Sequence, residues 1–443
     1  MKHKRFLSMV LSVFLFTSCT GGEPSSSSST LPLDQRTNLT FSYPYDRTSN
    51  DPLVWEIYKS VDQYVEYVDP TTFLQVVNQP VDASTGDKSS FLGPRVKTDL
   101  DWRPVLEQRK AAAGEYLDLT PYLNADPAWR DSFRSGAFHQ LTVEGKIYAV
   151  PASMSYNCLY YNTELFEQAG IEPSSIRTWT DFLAACETLK QAGITPLALS
   201  GKDAWCIALL TNYLVQRLGG LEAVNALAES ADGATFEQEC FFRAAELTKE
   251  LFDKGYIQQT ALEDTHDQAA DLFCQEQAAM YCMGSWMLPR FCWESAPADG
   301  RIRVLPFPLM EEYPDTAGQW MAKSDNNLVV LSSSEHPDQA VAFLKYLTGD
   351  ERQQAVAGAA AVPAITIQSD DPNCPEEVGA LIALVEQENA GVFPFFDSVL
   401  SNEIYTCYTA ALQNVLSGEQ TPQEAMRSVQ AEYLANGTSA AMT

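Results

Sequence analysis

The amino-acid sequence predicts an α/β fold. Short apolar segments typical of strands alternate with amphipathic segments typical of helices, which is the pattern of helices packed on a sheet. The chain has 443 residues, of which 45% are hydrophobic, so a sizeable core is expected. At about 150 residues per domain, this length predicts two or three domains. The sequence contains no run of about 20 apolar residues, so no membrane-spanning helix is predicted.

Seven short segments are predicted to be strands because they are apolar and rich in β-branched or aromatic residues. They cover residues 39–43, 147–150, 158–161, 196–199, 278–281, 302–305 and 328–331. Four helices are predicted from capping residues followed by apolar stripes of helical period. Their capping or first residues are Thr178, Thr235, Pro337 and Thr421.

The first 18 residues are typical of an export signal. Basic residues at 2–5 precede a largely apolar run at 6–16, which is too short to span a membrane. We therefore expect residues 1–18 to be a signal peptide that is absent from the mature protein.

The segment 16–19 resembles a bacterial lipobox, although Phe16 stands where Leu is usual. Cys19 is accordingly predicted to be the lipid-modified first residue of the mature chain. Ordinary cleavage without a lipid and an uncleaved membrane anchor are the alternatives. Residues 19–36 are rich in Gly and Ser and are predicted to be a flexible, lipid-anchored linker.

The acidic composition argues against two classes of partner. The chain has 29 Lys and Arg against 58 Asp and Glu, a formal net charge of −29. Removing the signal takes away three basic residues and no acidic ones, which leaves −32. No nucleic-acid partner is predicted, because affinity for phosphates needs a basic face. A polybasic patch for anionic lipids is not predicted either, so the lipid anchor is the one expected contact with the membrane.

The cysteines are predicted to be mostly reduced thiols packed in the core. With Cys19 modified, nine remain, an odd number that cannot all pair. There is no CxxC motif and the histidines are scattered, so no metal site and no cofactor are predicted. A single disulfide among Cys274, Cys282 and Cys292 is the alternative.

No catalytic residue is predicted. The sequence contains no GxSxG nucleophile motif, no HExxH zinc motif and no complete phosphate-binding loop. A pair of glycosidase carboxylates is defined by its separation in space, so the sequence leaves that possibility open.

Aromatic residues make up 11% of the chain, and several stand beside small polar residues where a predicted strand ends. Examples are Trp205 after Asp203, Trp286 after a Gly-Ser pair, Trp320 after a Gly-Gln pair, and Tyr156 between Ser and Asn. Ligands of α/β sheets bind beyond the carboxyl ends of strands, where a Trp can stack on a sugar ring. Core filling is the alternative for each aromatic residue.

Several motifs in order resemble one family. They are GKIYAVP at 145–151, CLYYNTELF at 158–166, QAGI at 168–171, TWTDF at 178–182, FCQEQAAM at 273–280, GSW at 284–286, PDQAVAFL at 337–344 and GEQTPQEA at 418–425. Together they resemble the extracellular solute-binding lipoproteins of carbohydrate ABC importers, over about three quarters of the mature chain. One departure is that the segment 67–109 does not follow the family pattern, and residues 91–106 lack the Gly-x-x-Pro-Asp turn usual in that family.

The resemblance implies a two-lobe α/β fold like that of maltose-binding and other periplasmic binding proteins, with a hinge and an inter-lobe ligand cleft. The chain is expected to cross between lobes near 152–155, 305–308 and 346–351. The N-terminal lobe is predicted to comprise 37–152 plus 308–348, and the C-terminal lobe 153–307 plus 349–443.

The resemblance also implies a function without catalysis. The protein is expected to be a monomer on the extracellular face of a bacterial membrane that captures a sugar or oligosaccharide for ABC permease subunits. A surface receptor for signalling and a secreted glycoside hydrolase are the alternatives. The expected ligand-binding residues are Trp286, Trp205, Tyr156, Trp320, Asp203, Tyr43 and Asp46, whereas Asn162 and Pro151 are interpreted as structural.

Overall fold

The protein is represented by a computed structural model that describes residues 36–42, 47–49, 52–77, 90–92, 104–228, 234–293, 300–367, 372–387 and 391–436. The strands are β1 (Thr37–Ser42), β2 (Thr72–Val77), β3 (Ser90–Leu92), β4 (Thr142–Val143), β5 (Lys146–Ile147), β6 (Ala149–Asn162), β7 (Thr195–Ala198), β8 (Ala278–Gly284), β9 (Ile302–Leu305), β10 (Gln319–Val330), β11 (Val362–Pro363) and β12 (Gly391–Phe393). The helices are α1 (Pro52–Gln63), α2 (Pro104–Ala112), α3 (Thr120–Ala125), α4 (Pro127–Arg130), α5 (Thr163–Ala169), α6 (Trp179–Gln191), α7 (Trp205–Ala228), α8 (Glu239–Asp253), α9 (His266–Cys274), α10 (Leu288–Trp293), α11 (Pro337–Leu347), α12 (Asp350–Gly358), α13 (Glu376–Gln387), α14 (Phe396–Val399), α15 (Asn402–Ser417) and α16 (Pro422–Asn436).

Ten of these strands form one mixed sheet. Its main order is β2-β1-β3-β10-β6-β8-β7, with β9 and β11 also paired to β6, and β12 paired to β10. The strand β1 is parallel to β2 and β3, whereas β10 is antiparallel to β3 and to β6. The remaining described strands, β4 and β5, pair with each other.

Two long strands, β6 and β10, pass from one lobe into the other. The first half of β6 pairs with β10 over Ala149–Tyr156, and its second half pairs with β8 and β9. The strand β10 begins beside β12, before it joins β6 and finally β3. The first lobe therefore contains β1 to β3 with the first half of β6, and the second contains β7 to β9 with its second half.

The continuity of these strands differs from the sequence prediction. Separate strands were expected at 147–150 and 158–161, and a short one at 328–331, whereas β6 has 14 residues and β10 has 12. Thirteen of the 14 residues of β6 are buried, so the strand shows no apolar–polar alternation by which a sequence reveals its length.

The predicted lobe boundaries at 307/308 and 348/349 remain predictions, and the contacts favour later crossings. The guanidinium of Arg217 on α7 donates to the carbonyl oxygens of Phe307, Pro308, Thr316 and Gln319, which holds this segment on the second lobe. The helix α12 packs on α1, and β11 pairs with the first half of β6. We therefore propose that the chain recrosses within β10 and leaves the first lobe after β11.

Three of the four predicted helix starts are confirmed. Thr178 forms a capping box with Asp181, Pro337 is the first residue of α11, and Thr421 exchanges capping bonds with Glu424. The prediction for Thr235 was wrong, because α8 begins four residues later, at Glu239.

The hydroxyl of Thr235 is engaged outside α8. It lies 3.0 Å from the side-chain oxygen of Gln430 on α16 and accepts a bond from the backbone N–H of Glu237. These contacts hold the chain outside the helix until Gln238, which is the N-cap residue.

All nine cysteines in the described residues are free thiols, and no disulfide joins Cys274, Cys282 and Cys292. Six of the nine are buried. Burial raises the pKa of most of these six thiols far above the ordinary value, and that of Cys282 to about 12.

A buried tyrosine bonds to both crossing strands. The hydroxyl of Tyr213 on α7 donates to the carbonyl oxygen of Asn157 at 2.9 Å and accepts from the backbone N–H of Met321 at 3.2 Å. Its ring stacks on Phe307 with centroids 4.3 Å apart and an interplanar angle of 3°. The amide of Asn157 donates in turn to the carbonyl oxygen of Leu209 on α7. The second lobe is thus attached to β6 and β10 where the two strands leave each other.

An ion pair joins segments that belong to different lobes. The backbone N–H of Arg134 donates to the carbonyl oxygen of Ala364, beside β11 of the first lobe. Its buried side chain donates to the carbonyl oxygen of Pro363 and, at 2.9 Å, to Glu386 on α13, which packs on β9 of the second lobe. The side chain of Glu386 is 39% exposed, whereas that of Arg134 is buried, so the carboxylate on α13 is the partner that contacts solvent.

We expect Glu386→Ala to lower the free energy of unfolding by about 1–2 kcal/mol, because a buried guanidinium loses its charged acceptor. Urea denaturation of the whole chain measures this change as a shift of the midpoint at constant slope. The control is Glu246→Ala, whose partner Arg243 on α8 is partly exposed and keeps Glu250 as a second partner, and we expect a change below about 0.5 kcal/mol. Equal losses in the two variants would contradict the structural importance of the inter-lobe pair.

Candidate functional site

Aromatic rings gather in the second lobe where β7 and β8 end. Trp286 lies in the single helical turn that directly follows β8 and is 37% exposed, and Trp205 is the first residue of α7, after β7. Their ring centroids are 6.3 Å apart. The ring of Phe395, between β12 and α14, is buried and supports that of Trp286, with centroids 5.8 Å apart. The structure therefore brings together two of the three tryptophans that the sequence analysis proposed as ligand residues. We name Trp205, Trp286 and Phe395 the aromatic platform.

The position of Trp286 depends on Gly284. A Cβ atom at residue 284 would lie 2.2 Å from two atoms of the Trp286 ring. The ring therefore folds back over the end of β8 only because residue 284 has no side chain. Ser285 lies between Gly284 and Trp286 in the sequence. Its hydroxyl accepts a hydrogen bond from the backbone N–H of Tyr156 at 3.0 Å, which joins this turn to β6.

A lysine from a crossing strand lies against the aromatic platform. The ammonium nitrogen of Lys323 on β10 is 5.5 Å from the ring centroid of Trp286 and 5.2 Å from that of Phe395. These distances are within the range of cation–π attraction. Because Lys323 pairs with Ser155 of β6, the platform meets the crossing strands where the lobes join. The sequence analysis missed Lys323, since no motif marks a single lysine within a strand.

Polar side chains cluster beside Lys323 on the same two strands. The carboxylate of Asp325 accepts from the hydroxyl of Ser155 at 2.7 Å and from the backbone N–H of Asn326 at 2.9 Å. The amide of Asn326, a residue with a φ of 50°, donates to the hydroxyl of Ser153 at 2.9 Å. Hydroxyl, amide and carboxylate groups therefore occur close to aromatic rings, which is the composition of many small-molecule sites.

Asp203 lies next to Trp205, where the sequence predicted it, and one of its oxygens is already engaged. Its Oδ2 accepts the backbone N–H of His266 at 2.6 Å, and its own N–H donates to the hydroxyl of Ser200. The imidazole of His266 lies 5.1 Å from the ring of Trp205. Asp203 thus positions the start of α9, and its role as an acceptor of ligand hydroxyls stays a prediction.

Tyr156 and Trp320 are not part of the aromatic platform. Their side chains are 1% and 3% exposed and pack edge to face, with centroids 6.4 Å apart. Burial raises the pKa of Tyr156 to about 12. These facts favour core filling, the alternative that the sequence left open, and the ligand-binding role of the two residues stays a prediction.

The remaining predicted residues divide into two groups. Tyr43, Asp46 and Cys19 lie outside the described residues. Asn162 is fully buried and caps α5 by accepting the backbone N–H of Leu165, as its structural interpretation predicted.

A separate groove of about 790 Å³ lies between α1 and α12. It is lined by exposed Trp55 and by charged residues that include Glu56, Lys59 and Glu351, and by none of the predicted ligand residues. We favour the aromatic platform as the site because it lies at the junction of the lobes.

Two further observations concern only the part of the chain that the structure describes. No helix there has the length and apolar character needed to cross a membrane. No group of three or more His, Cys, Asp or Glu side chains there could hold a metal ion.

Comparison with solved structures confirms the two-lobe fold. A chitin oligosaccharide binding protein has a TM-score of 0.72 and 24% identity, and the match covers 91% of this chain and 100% of that one. At this identity the likeness establishes the fold alone.

Curated relatives are distant and match over part of their length. A multiple sugar-binding protein of Streptococcus mutans is 23% identical over 298 residues, 66% of this chain and 67% of that protein. An uncharacterised ABC transporter extracellular-binding protein of Pyrococcus horikoshii is 26% identical over 248 residues, 54% of this chain and 52% of that protein. The chain thus spans about half to two thirds of the length of these relatives.

The sequence profile of one family, described as bacterial extracellular solute-binding protein, matches residues 62–354, about two thirds of the chain. This range includes both crossing strands, β6 and β10, and the first two residues of the aromatic platform in sequence, Trp205 and Trp286. The chain belongs to the family of bacterial extracellular solute-binding proteins.

Proposed function

We propose that this protein captures a sugar or oligosaccharide between its lobes and delivers it to the permease subunits of an ABC importer. The observation that supports this most directly is the aromatic platform of Trp205, Trp286 and Phe395 beside the crossing strands. Sugar-binding names among the relatives, such as that of the Streptococcus mutans protein, point the same way.

The geometry suits a sugar for a physical reason. A pyranose ring has apolar C–H faces that stack on indole rings, and hydroxyls at its rim that need hydrogen-bond partners. At the platform, Trp286 offers an exposed ring and Asp203 precedes Trp205 by two residues, while Asp325 follows Lys323 by two residues on β10. A ligand that contacts both lobes binds the closed form more tightly than the open one and so shifts the population toward closure. Binding and closure are sufficient for delivery, so we propose no catalytic step.

The ligand class is tested by calorimetry of the purified protein with melibiose, raffinose, stachyose, maltotriose, arabinotriose, xylotriose and chitotriose. We expect at least one of these sugars to bind, and to be recovered unchanged after hours of incubation. Absence of binding to every member of the panel would contradict the proposed ligand class. Release of shorter sugars would instead support the glycoside hydrolase alternative.

The site is tested by Trp286→Ala, measured with the sugar that binds the unaltered protein. We expect the affinity to fall by more than about 1 kcal/mol, roughly fivefold in Kd, because a stacking face is lost. Trp55→Ala is the matched control, since Trp55 is an exposed tryptophan in the α1–α12 groove. A loss of affinity in the control and not in Trp286→Ala would move the site to that groove.

We also propose that Cys19 is lipid-modified and holds the protein, as a monomer, on the extracellular face of the membrane. The sequence of the export signal and the extracellular family support this placement. Anchoring keeps the loaded protein close to its permease and raises its effective concentration there.

The anchor and the transporter partner can be tested together by uptake of the radiolabelled sugar in cells that lack the gene. We expect the unaltered gene to restore uptake. We expect Cys19→Ser to release the protein into the soluble fraction and to restore much less uptake, although the purified variant binds the sugar normally. Full uptake by a released variant would contradict the need for the anchor, and no uptake with either gene would favour the signalling alternative.

A further inference from the structure

The side chain of His266 extends the aromatic platform by one ring. His266 is the first residue of α9, and its imidazole lies against Trp205 with centroids 5.1 Å apart and planes inclined by 33°. Trp205 in turn lies 6.3 Å from Trp286. The three rings therefore form a continuous row from the start of α9 to the end of β8.

The position of His266 is fixed by its neighbours. Its backbone N–H donates to Asp203, and the preceding residue, Thr265, forms a capping box with Gln268. The Nδ1 atom of His266 lies 3.5 Å from the carboxylate of Asp267. Because these contacts fix the backbone and Nδ1 of His266, the other ring nitrogen, Nε2, has a defined position.

That other nitrogen, Nε2, is buried and has no hydrogen-bond partner among the described residues. The side chain as a whole is 21% exposed, so the buried Nε2 belongs to a ring that is partly open to solvent. A buried polar atom without a partner costs free energy, and in native structures such atoms are uncommon enough to need an explanation. A ligand bound at the aromatic platform would supply one, because the imidazole lies against Trp205 of that platform.

The electrostatic surroundings keep the imidazole neutral. Burial is the main cause that lowers the pKa of His266, and Arg290 lowers it further, whereas Asp267 and Asp203 act in the opposite direction. A neutral imidazole has one N–H donor and one acceptor nitrogen. The carboxylate of Asp267 favours the proton on Nδ1, which leaves Nε2 as the acceptor.

We propose that Nε2 of His266 accepts a hydrogen bond from a hydroxyl of the bound sugar and makes His266 a specificity-determining residue of the cleft. This inference rests on the proposed function, because it concerns the sugar that stacks on Trp205 and Trp286. A site built to accept a hydroxyl discriminates against a sugar that lacks it, since the acceptor is then left without a partner.

The test uses His266→Phe in the full chain, with the panel sugar that binds the unaltered protein. Phenylalanine keeps an aromatic ring against Trp205 and removes only the nitrogens, so we expect an increase in Kd of about tenfold. His266→Gln, whose amide oxygen can approach the position of Nε2, should recover part of the affinity. The matched control is His139→Phe, at an exposed histidine of the first lobe, and it should leave Kd unchanged.

Deoxy analogues of the same sugar separate a hydrogen bond from a structural effect. One deoxy analogue should bind the unaltered protein about tenfold more weakly than the parent sugar does. The same analogue and the parent sugar should bind His266→Phe equally. Unchanged affinity in His266→Phe, or an equal loss for every analogue without recovery by His266→Gln, would overturn the assignment while the proposed function still stands. If no panel sugar binds the unaltered protein, the proposed function fails first and this inference fails with it.

Discussion

The hydroxyl of Tyr213 bonds to both strands that pass between the lobes, and the rest of the structure depends on that junction. Because the phenol is buried, its two bonds have no competition from water and are costly to break. They hold β6 and β10 to α7 where Asn157 and Met321 enter the second lobe. On the first-lobe side of this junction, β6 and β10 pair only with each other and with short strands, which is where we expect the lobes to bend.

The candidate site follows from the same junction. Lys323 lies two residues beyond Met321, so the point where β10 is fixed to the second lobe also sets the distance from its ammonium group to Trp286. The turn that carries Trp286 is bonded to β6 through Ser285 and Tyr156. Any relative motion of the lobes therefore changes the separation between the aromatic platform and groups farther along β10. In the proposed function, this coupling would convert ligand binding into closure.

Local sequence signals predicted the parts of the fold that depend on short-range chemistry. The strand at 302–305 and the capping boxes at Thr178 and Thr421 were found because neighbouring residues determine them. The length of β6 was missed, since burial on both faces removes the alternation that marks a strand. Thr235 was misinterpreted because its competing partner, Gln430, is 195 residues away.

The candidate site, like the fold, was predictable only where neighbouring residues in the sequence determine it. Trp205 and Trp286 were identified from strand-end motifs, and the structure brings them together. Phe395, Lys323 and His266 were missed, because each joins the cluster from a segment distant in sequence and without a motif. The pattern of an aromatic residue beside small polar ones occurs both at an exposed ring, such as Trp286, and at a buried one, such as Trp320. The pattern alone therefore does not predict exposure.

The burial of the thiols has a consequence for the life of the protein outside the cell. Thiol–disulfide exchange proceeds through the thiolate, and a thiol such as Cys282, with a pKa of about 12, has almost none at neutral pH. Folding thus withdraws six of the nine described cysteines from oxidation without any pairing enzyme. The chain therefore keeps these thiols reduced by packing them, and the folded state itself protects them from oxidation.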